Sequence, residues 1–256
     1  MSIAEFLELG RINSKSIRYQ TKKQKAIDIS ADMLLSHKNP YLALSGGKDS
    51  VAMAFIVEEA AKRTNKNYRI WSHVSDASFP GTIDIVKFIS SKIARHLDLY
   101  EHPFSAFEQK STSKQAFGKS GVFFDSIRNY AKDKDLSFVG VRAYESKRRM
   151  KAAKVHGNVF YSASMGNVTV CYPLLWFRLL DIASVLYEYQ APLHPIYSKI
   201  SFSTGVNKFN EKEWIRLGYV TSKDLLHKGT AAFIKRNYPE IFNKLTAAFP
   251  EVKGYV

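Results

Sequence analysis

Ser45-Gly46-Gly47-Lys48-Asp49-Ser50 constrains this 256-residue chain more than any other stretch. It follows the apolar run Tyr41-Leu42-Ala43-Leu44 and opens an Ala-rich apolar segment, Val51 to Ala61, with the length and propensity of a helix. Strand, glycine turn and helix in that order make a phosphate cradle. Adjacent glycines let backbone N–H groups turn toward an anion, and the helix N-terminus adds unpaired N–H groups and the positive end of its dipole. Ser45, Ser50 and Lys48 add further donors. The hexapeptide is not a Walker A loop, which needs a second glycine five residues after the first and a lysine directly followed by Ser or Thr. Here Asp49 separates Lys48 from Ser50. An acid beside a phosphate site suits a magnesium ion shared between carboxylate and phosphate oxygens, which makes Asp49 the candidate metal ligand.

The segments around the loop alternate. A helix is expected from Ala26 to Leu35, a strand at 41–44, a helix at 49–63, and a strand from Tyr68 to Val74. Ile83, Val86, Ile89, Ile93 and Leu97 recur at three or four residues and predict an amphipathic helix from Thr82 to Leu97. A third strand is expected from Leu97 to His102, an irregular connection at 105–121, a helix from Val122 to Lys132 and a strand from Leu136 to Val141. This order predicts a three-layer α/β/α domain with a mostly parallel sheet, with ligands at the carboxyl ends of the strands. Residues 1–198 read as the nucleotide-binding domain, with an N-terminal helical segment over 1–38. Residues 199–256 read as a small helical appendage, with loops at Lys208-Phe209-Asn210 and a helix from Thr230 to Phe249 interrupted at Pro239.

Three more stretches bear on the loop. Asp76, just after the second strand, is placed to bind a ribose hydroxyl or help hold metal, and Thr82 reads as a helix cap. In Gly140-Val141-Arg142-Ala143-Tyr144-Glu145-Ser146-Lys147-Arg148-Arg149, Arg142 is the candidate oxyanion clamp, since guanidinium binds phosphate or sulfate bidentately. The apolar helix between Tyr172-Pro173 and Leu193-His194-Pro195-Ile196-Tyr197 reads as a packing element with proline turns at its ends. His73 and His194 are candidate general bases by residue type alone.

The hexapeptide resembles the PP-loop, SGGxDS, of the N-type ATP pyrophosphatase superfamily, and the four stretches together resemble its phosphoadenosine-phosphosulfate (PAPS) reductase family. Phe79-Pro80-Gly81-Thr82, Gly140 to Ser146, and the 172–197 segment match that family's motifs in order, with Phe177 and His194 standing where the family has tryptophan and asparagine. Arg236-Asn237-Tyr238-Pro239-Glu240 looks like its tail helix. The resemblance implies an adenine nucleotide α-hydrolase-like fold and an adenine-nucleotide site built from Ser45, Gly46, Gly47, Lys48, Asp49, Ser50, Asp76 and Arg142. One departure matters. Sulfonucleotide reductases use a cysteine near the C-terminus as nucleophile, and many bind an iron–sulfur cluster, whereas this chain has a single cysteine, Cys171, which reads as a buried structural thiol.

The expected function is therefore binding of ATP and magnesium, cleavage between the α- and β-phosphates, and adenylylation of an acceptor with release of pyrophosphate. Lys48, Asp49 and Arg142 carry the catalysis, and no iron–sulfur cluster is expected. The alternatives are a reductase of PAPS or its 5′-phosphosulfate analogue APS that uses an external thiol, and a non-catalytic nucleotide- or nucleic-acid-binding module. With 38 Lys and Arg against 23 Asp and Glu, the net charge of +15 favours anionic partners: nucleotides, and a nucleic-acid base or another anionic acceptor, with Lys147 to Lys154 carrying five basic residues in eight. No apolar run approaches the ~20 residues of a membrane span. A single cysteine and an N-terminus without a basic segment before an apolar stretch make the cytoplasm the expected compartment.

Overall fold

The computed structural model describes residues 2–76, 78–101, 121–200, 202–203, 213–214 and 229–256. Two helices, α1 (Ile3–Ser14) and α2 (Ile17–Ser36), precede the first strand, β1 (Pro40–Ala43). There follow α3 (Lys48–Thr64), β2 (Arg69–Val74), α4 (Thr82–Lys92), β3 (Leu97–Glu101), α5 (Gly121–Tyr130) and β4 (Leu136–Val139). Beyond them lie α6 (Lys147–His156), β5 (Val159–Ser162), β6 (Val168–Cys171), α7 (Leu179–Glu188), the two-residue strands β7 (Phe202–Ser203) and β8 (Glu213–Trp214), α8 (Thr230–Asn237) and α9 (Pro239–Ala248).

Six strands form one sheet in the order β3-β2-β1-β4-β6-β5. β1 pairs in parallel with β2 and β4, β4 pairs in parallel with β6, and the edge strand β5 runs antiparallel to β6. Helices cover both faces, which gives the expected three layers. The chain steps outward from β1 through β2 to β3 on one side and returns to β4 on the other. The β1/β4 junction is thus a topological switch point, where the loops after both strands diverge and leave a crevice. Tyr41, Leu42, Leu136 and Phe138 are all buried, as strands covered on both faces require. α3 is buried nearly all round, from Val51 to Val57 without a break, so it lies inside the domain rather than on its surface.

Several elements differ from their sequence reading for identifiable reasons. α2 starts at Ile17, nine residues before the expected start, because Ser16 caps it through the Tyr19 N–H and its basic residues find acids on α7. Lys22 pairs with Asp181 at 2.5 Å and Lys23 with Glu188 at 3.0 Å, and the Tyr19 hydroxyl donates to Glu188 at 2.7 Å. α4 ends at Lys92 rather than Leu97, since Ala94 takes φ 51° and turns the chain, while Arg95 reaches the buried Glu58 at 2.6 Å. Strand β5 has no counterpart in the sequence reading. Its four residues are too few to show a period, and pairing with β6 defines them.

The chain divides into two compact units. The first comprises Met1–Ser72, Gly81–Asp98 and Ile127–Ile215; the second comprises His73–Pro80, Leu99–Ser126 and Arg216–Val256. Within the second unit α8 and α9 pack together with a break at Tyr238-Pro239, as expected from the proline, and Tyr238 holds Phe79 and Phe233 at ring distances of 5.5 and 6.0 Å. Most of the connection expected at 105–121 and the loop at Lys208-Phe209-Asn210 fall outside the described residues.

Candidate functional site

The phosphate loop leaves β1 at Leu44 and enters α3 at Lys48. Gly46 adopts φ 74°, a conformation that favours glycine, and Gly47 is the N-cap residue. Ser50 ties the turn from inside: its Oγ accepts from the Ser45 N–H at 3.2 Å, lies 3.0 Å from Ser45 Oγ and donates to the Gly47 carbonyl at 2.9 Å. The backbone N–H groups of Gly46, Gly47, Asp49 and Ser50 find no acceptor among the described residues. With the dipole of a 17-residue helix behind them, they form an anion-binding surface.

Gly140, at the end of β4, fixes how closely the second side of the crevice approaches. A Cβ there would lie 2.9 Å from the Cα and N of Ser50. The backbone after β4 therefore runs directly against the start of α3 and carries Arg142 under the loop. Arg142 is 0% exposed, and its Nε donates to Asp49 Oδ1 at 2.6 Å. Lys48 Nζ donates to the other oxygen, Oδ2, also at 2.6 Å. Burial by itself would raise the Asp49 carboxyl, but the charges of Arg142 and Lys48 outweigh it and hold the group ionised, well below the usual carboxylate range. The Arg142 backbone N–H donates to Glu145 Oε2 at 3.0 Å, and Arg149 Nη1 donates to the same oxygen.

The proline turn after α7 belongs to this site as well, which corrects its reading as a packing element alone. Tyr197 Oη accepts from the Lys48 N–H at 3.0 Å. Pro195 lies 3.2 Å from where a Cβ on Gly81 would sit, and Gly81 has φ 91°; a side chain here would be strained and would meet the proline. The N-cap of α4 is Gly81 and not Thr82, whose hydroxyl lies 3.1 Å from His194 Nε2. His194 is no general base in this arrangement. It is buried, its Nδ1 accepts from the Ile196 N–H at 3.1 Å, so the proton sits on Nε2 and is directed at Thr82 Oγ1. Burial lowers its pKa and keeps the ring neutral. The only sequence signal for Tyr197 was the order of the proline-turn motif.

Asp76 occupies an exposed turn two residues beyond β2, in the second unit, where His73 stacks on Tyr100 at 5.6 Å. Lys147 and Arg148 point to solvent. Cys171 is fully buried in β6, and burial pushes its thiol up to about 12, which removes it as a nucleophile. Asp49 brings a carboxylate to the loop; the described residues contain no cluster of three or more His, Cys, Asp or Glu able to hold a metal ion. A carboxylate held ionised beside a phosphate cradle still fits magnesium, which takes one or two protein carboxylates and completes its shell with phosphate oxygens and water. No described helix is long and apolar enough to cross a membrane.

Fold and site together define an α/β domain with a glycine turn and a helix N-terminus at the β1/β4 switch point. The phosphoadenosine phosphosulfate reductase domain matches residues 39–220, and the chain belongs to that family, within the PP-loop superfamily. No curated protein sequence matches it. Among solved structures, it is similar to the FMN adenylyltransferase of Candida glabrata in complex with FMN and the ATP analogue AMPCPP, with a TM-score of 0.52, 15% identity, and 77% of this chain and 68% of that one covered. It is similar also to the U34-tRNA thiolase of Methanococcus maripaludis with its [4Fe-4S] cluster, with a TM-score of 0.53, 13% identity, and coverage of 92% and 80%. The third is the PAPS reductase of Candida auris in a phosphate complex, with a TM-score of 0.51, 13% identity, and coverage of 77% and 91%. At these identities the likeness is one of fold.

Proposed function

We propose that the protein is an enzyme that binds ATP with magnesium, transfers the adenylyl group to an acceptor oxygen and releases pyrophosphate. The observation that carries this reading is the clamp on Asp49: one carboxylate, held ionised between Lys48 and Arg142, in the first turn of a helix whose leading backbone N–H groups at Gly46, Gly47, Asp49 and Ser50 have no acceptor among the described residues. Attack of the acceptor oxygen on the α-phosphorus forms one P–O bond and breaks the bond to the β-phosphate bridging oxygen. The acceptor's proton is lost to solvent or to the acceptor's surroundings, and pyrophosphate leaves with the bonding pair.

Such a reaction asks the protein for positioning and charge neutralisation. Gly46, Gly47, Ser45 and Ser50 hold the leaving pyrophosphate. Lys48, parked on Asp49 Oδ2 in this structure, turns to the β- and γ-phosphates when they arrive, which frees that oxygen. Arg142, oriented by Asp49, faces the α-phosphate charge. Asp49 would hold magnesium, which would neutralise part of the phosphate charge. Family membership supports a second reading, in which the same cradle binds a sulfonucleotide and an external thiol takes the sulfur; the buried Cys171 leaves that thiol to a partner.

Incubating the protein with ATP labelled at the α- and γ-phosphates, magnesium and candidate acceptors tests the first reading. Labelled pyrophosphate and an AMP-bearing acceptor are expected, with turnover lost in Lys48→Ala. Nucleotide binding without pyrophosphate release, together with sulfite release from PAPS in the presence of thioredoxin, would establish the second reading instead.

A further inference from the structure

Several basic side chains of the first unit are spent on the fold. Lys22, Lys23, Arg69 and Arg95 each reach an acid within 3.0 Å. Helix α6 is different. Its sequence, KRRMKAAKVH, contains no acid, and Lys147, Arg148, Lys151 and Lys154 are exposed with no acidic partner among the described residues. Only Arg149 is paired, with Glu145. These charges oppose the helix that carries them. Lys147 and Arg148 occupy its first turn, at the positive end of the dipole, and Lys147 repels Lys151 four residues on. Stability of α6 therefore does not explain them. What holds the helix in place is a narrow seam, Met150 and Ala153 packed against Ala143 and Leu175.

We propose that this open face of α6 binds the phosphodiester backbone of a nucleic-acid strand and so delivers the acceptor to the nucleotide cradle. The delivery rests on the adenylyl-transfer reading; the binding does not. Lys147, Lys151 and Lys154 fall at i, i+4 and i+7 in one stripe, roughly 10 Å long at the helical rise, a row of cations facing a polymer whose charges also recur along a line. At the end of the helix the exposed His156 ring lies 5.2 Å from the half-buried Phe160 ring, a platform on which a base can stack. A lipid surface fits less well, because Val155 is the one large apolar side chain exposed on α6 and insertion needs an apolar face. The helix is also wired to the cradle: Asp49 holds Arg142, the Arg142 backbone N–H is held by Glu145, and Glu145 is held by Arg149.

The test is fluorescence anisotropy of labelled 20-nucleotide single-stranded RNA and DNA with the full chain, without ATP, over a salt series. Wild type is compared with Lys147→Gln/Lys151→Gln/Lys154→Gln and with a charge-matched control, Lys25→Gln/Lys66→Gln/Lys244→Gln. The α6 variant is expected to bind at least roughly tenfold more weakly, with its log–log salt slope shallower by about 2, while the control stays near wild type. Equal losses in the two variants, no binding by wild type, or tighter binding of wild type to phosphatidylserine vesicles than to either oligonucleotide would overturn the proposal. ATP affinity, expected to be the same in all three proteins, separates this outcome from failure of the cradle. Pyrophosphate release that survives with a small acceptor while oligonucleotide binding fails removes the docking surface alone.

Discussion

Asp49 Oδ1 and Arg142 Nε lie 2.6 Å apart although 93 residues separate them in the chain, and Arg142 has no exposed surface. The pair joins the first turn of α3 to the loop after β4 and so ties together the two sides of the candidate site. A buried cation of this kind cannot lose its counter-charge cheaply.

Arg142→Met is expected to cost about 3 kcal/mol of stability, the usual cost of breaking a buried pair from one side. Asp49→Asn should cost a similar amount, and the double variant less than the sum of the two. Urea denaturation of the four proteins measures the coupling; additive losses would mean that the two groups do not stabilise each other.

Gly140→Ala puts a methyl group 2.9 Å from the Ser50 backbone. Either β4 or the start of α3 must shift, at a cost of about 1–3 kcal/mol, with a loss of nucleotide affinity that exceeds the loss of stability. Gly254, where an added Cβ meets nothing within 4 Å, provides the comparison, and Gly254→Ala should stay within about 0.5 kcal/mol of wild type. Thermal unfolding and ATP titration of both variants decide the matter.

The acid limb of the stability curve should have two identifiable parts. Asp98 accepts from Arg69 and from the Tyr130 hydroxyl, and the Arg69 guanidinium chiefly holds its carboxyl down at about 2. The stabilisation is fully present above the ordinary carboxylate value of 3.8 and is lost as the pH falls from there through about 2. His194 acts higher. Its folded pKa is lowered by burial, so its contribution is complete above its ordinary value of 6.5 and declines as the pH falls below it. Asp98→Asn should flatten the lower part and His194→Gln the upper; nitrogen chemical shifts of His194 should report the Nε2–H tautomer at neutral pH.

Cys171 should be inert in the native protein. With no exposed surface and a thiol pushed up to about 12, it should react with a disulfide reagent only at the rate of unfolding, and Cys171→Ala should retain the proposed adenylyl transfer. Rapid labelling of the native protein, or lost turnover in a folded Cys171→Ala, would restore the thiol to the chemistry.

The local order of residues determined a good deal by itself. Two glycines between an apolar run and an Ala-rich segment specify strand, turn and helix through short-range backbone freedom and propensity, so the phosphate loop, β1 and α3 were legible within a residue or two. The alternation of segments specified the parallel α/β architecture, and Pro239 the break between α8 and α9. Partners distant in the chain were decided only by the tertiary structure. The lysines at 22 and 23 look like a free basic patch until α7 supplies Asp181 and Glu188, and those pairs also extend α2. The lysines of α6 look the same in sequence, but the fold brings them no acid among the described residues. His194 carries the residue type of a base, and burial against Thr82 and Ile196 makes it a neutral tie instead. Charge, burial and hydrogen-bond partners are set by what the chain packs against, and Lys22, Lys23 and His194 each have a partner more than a hundred positions away.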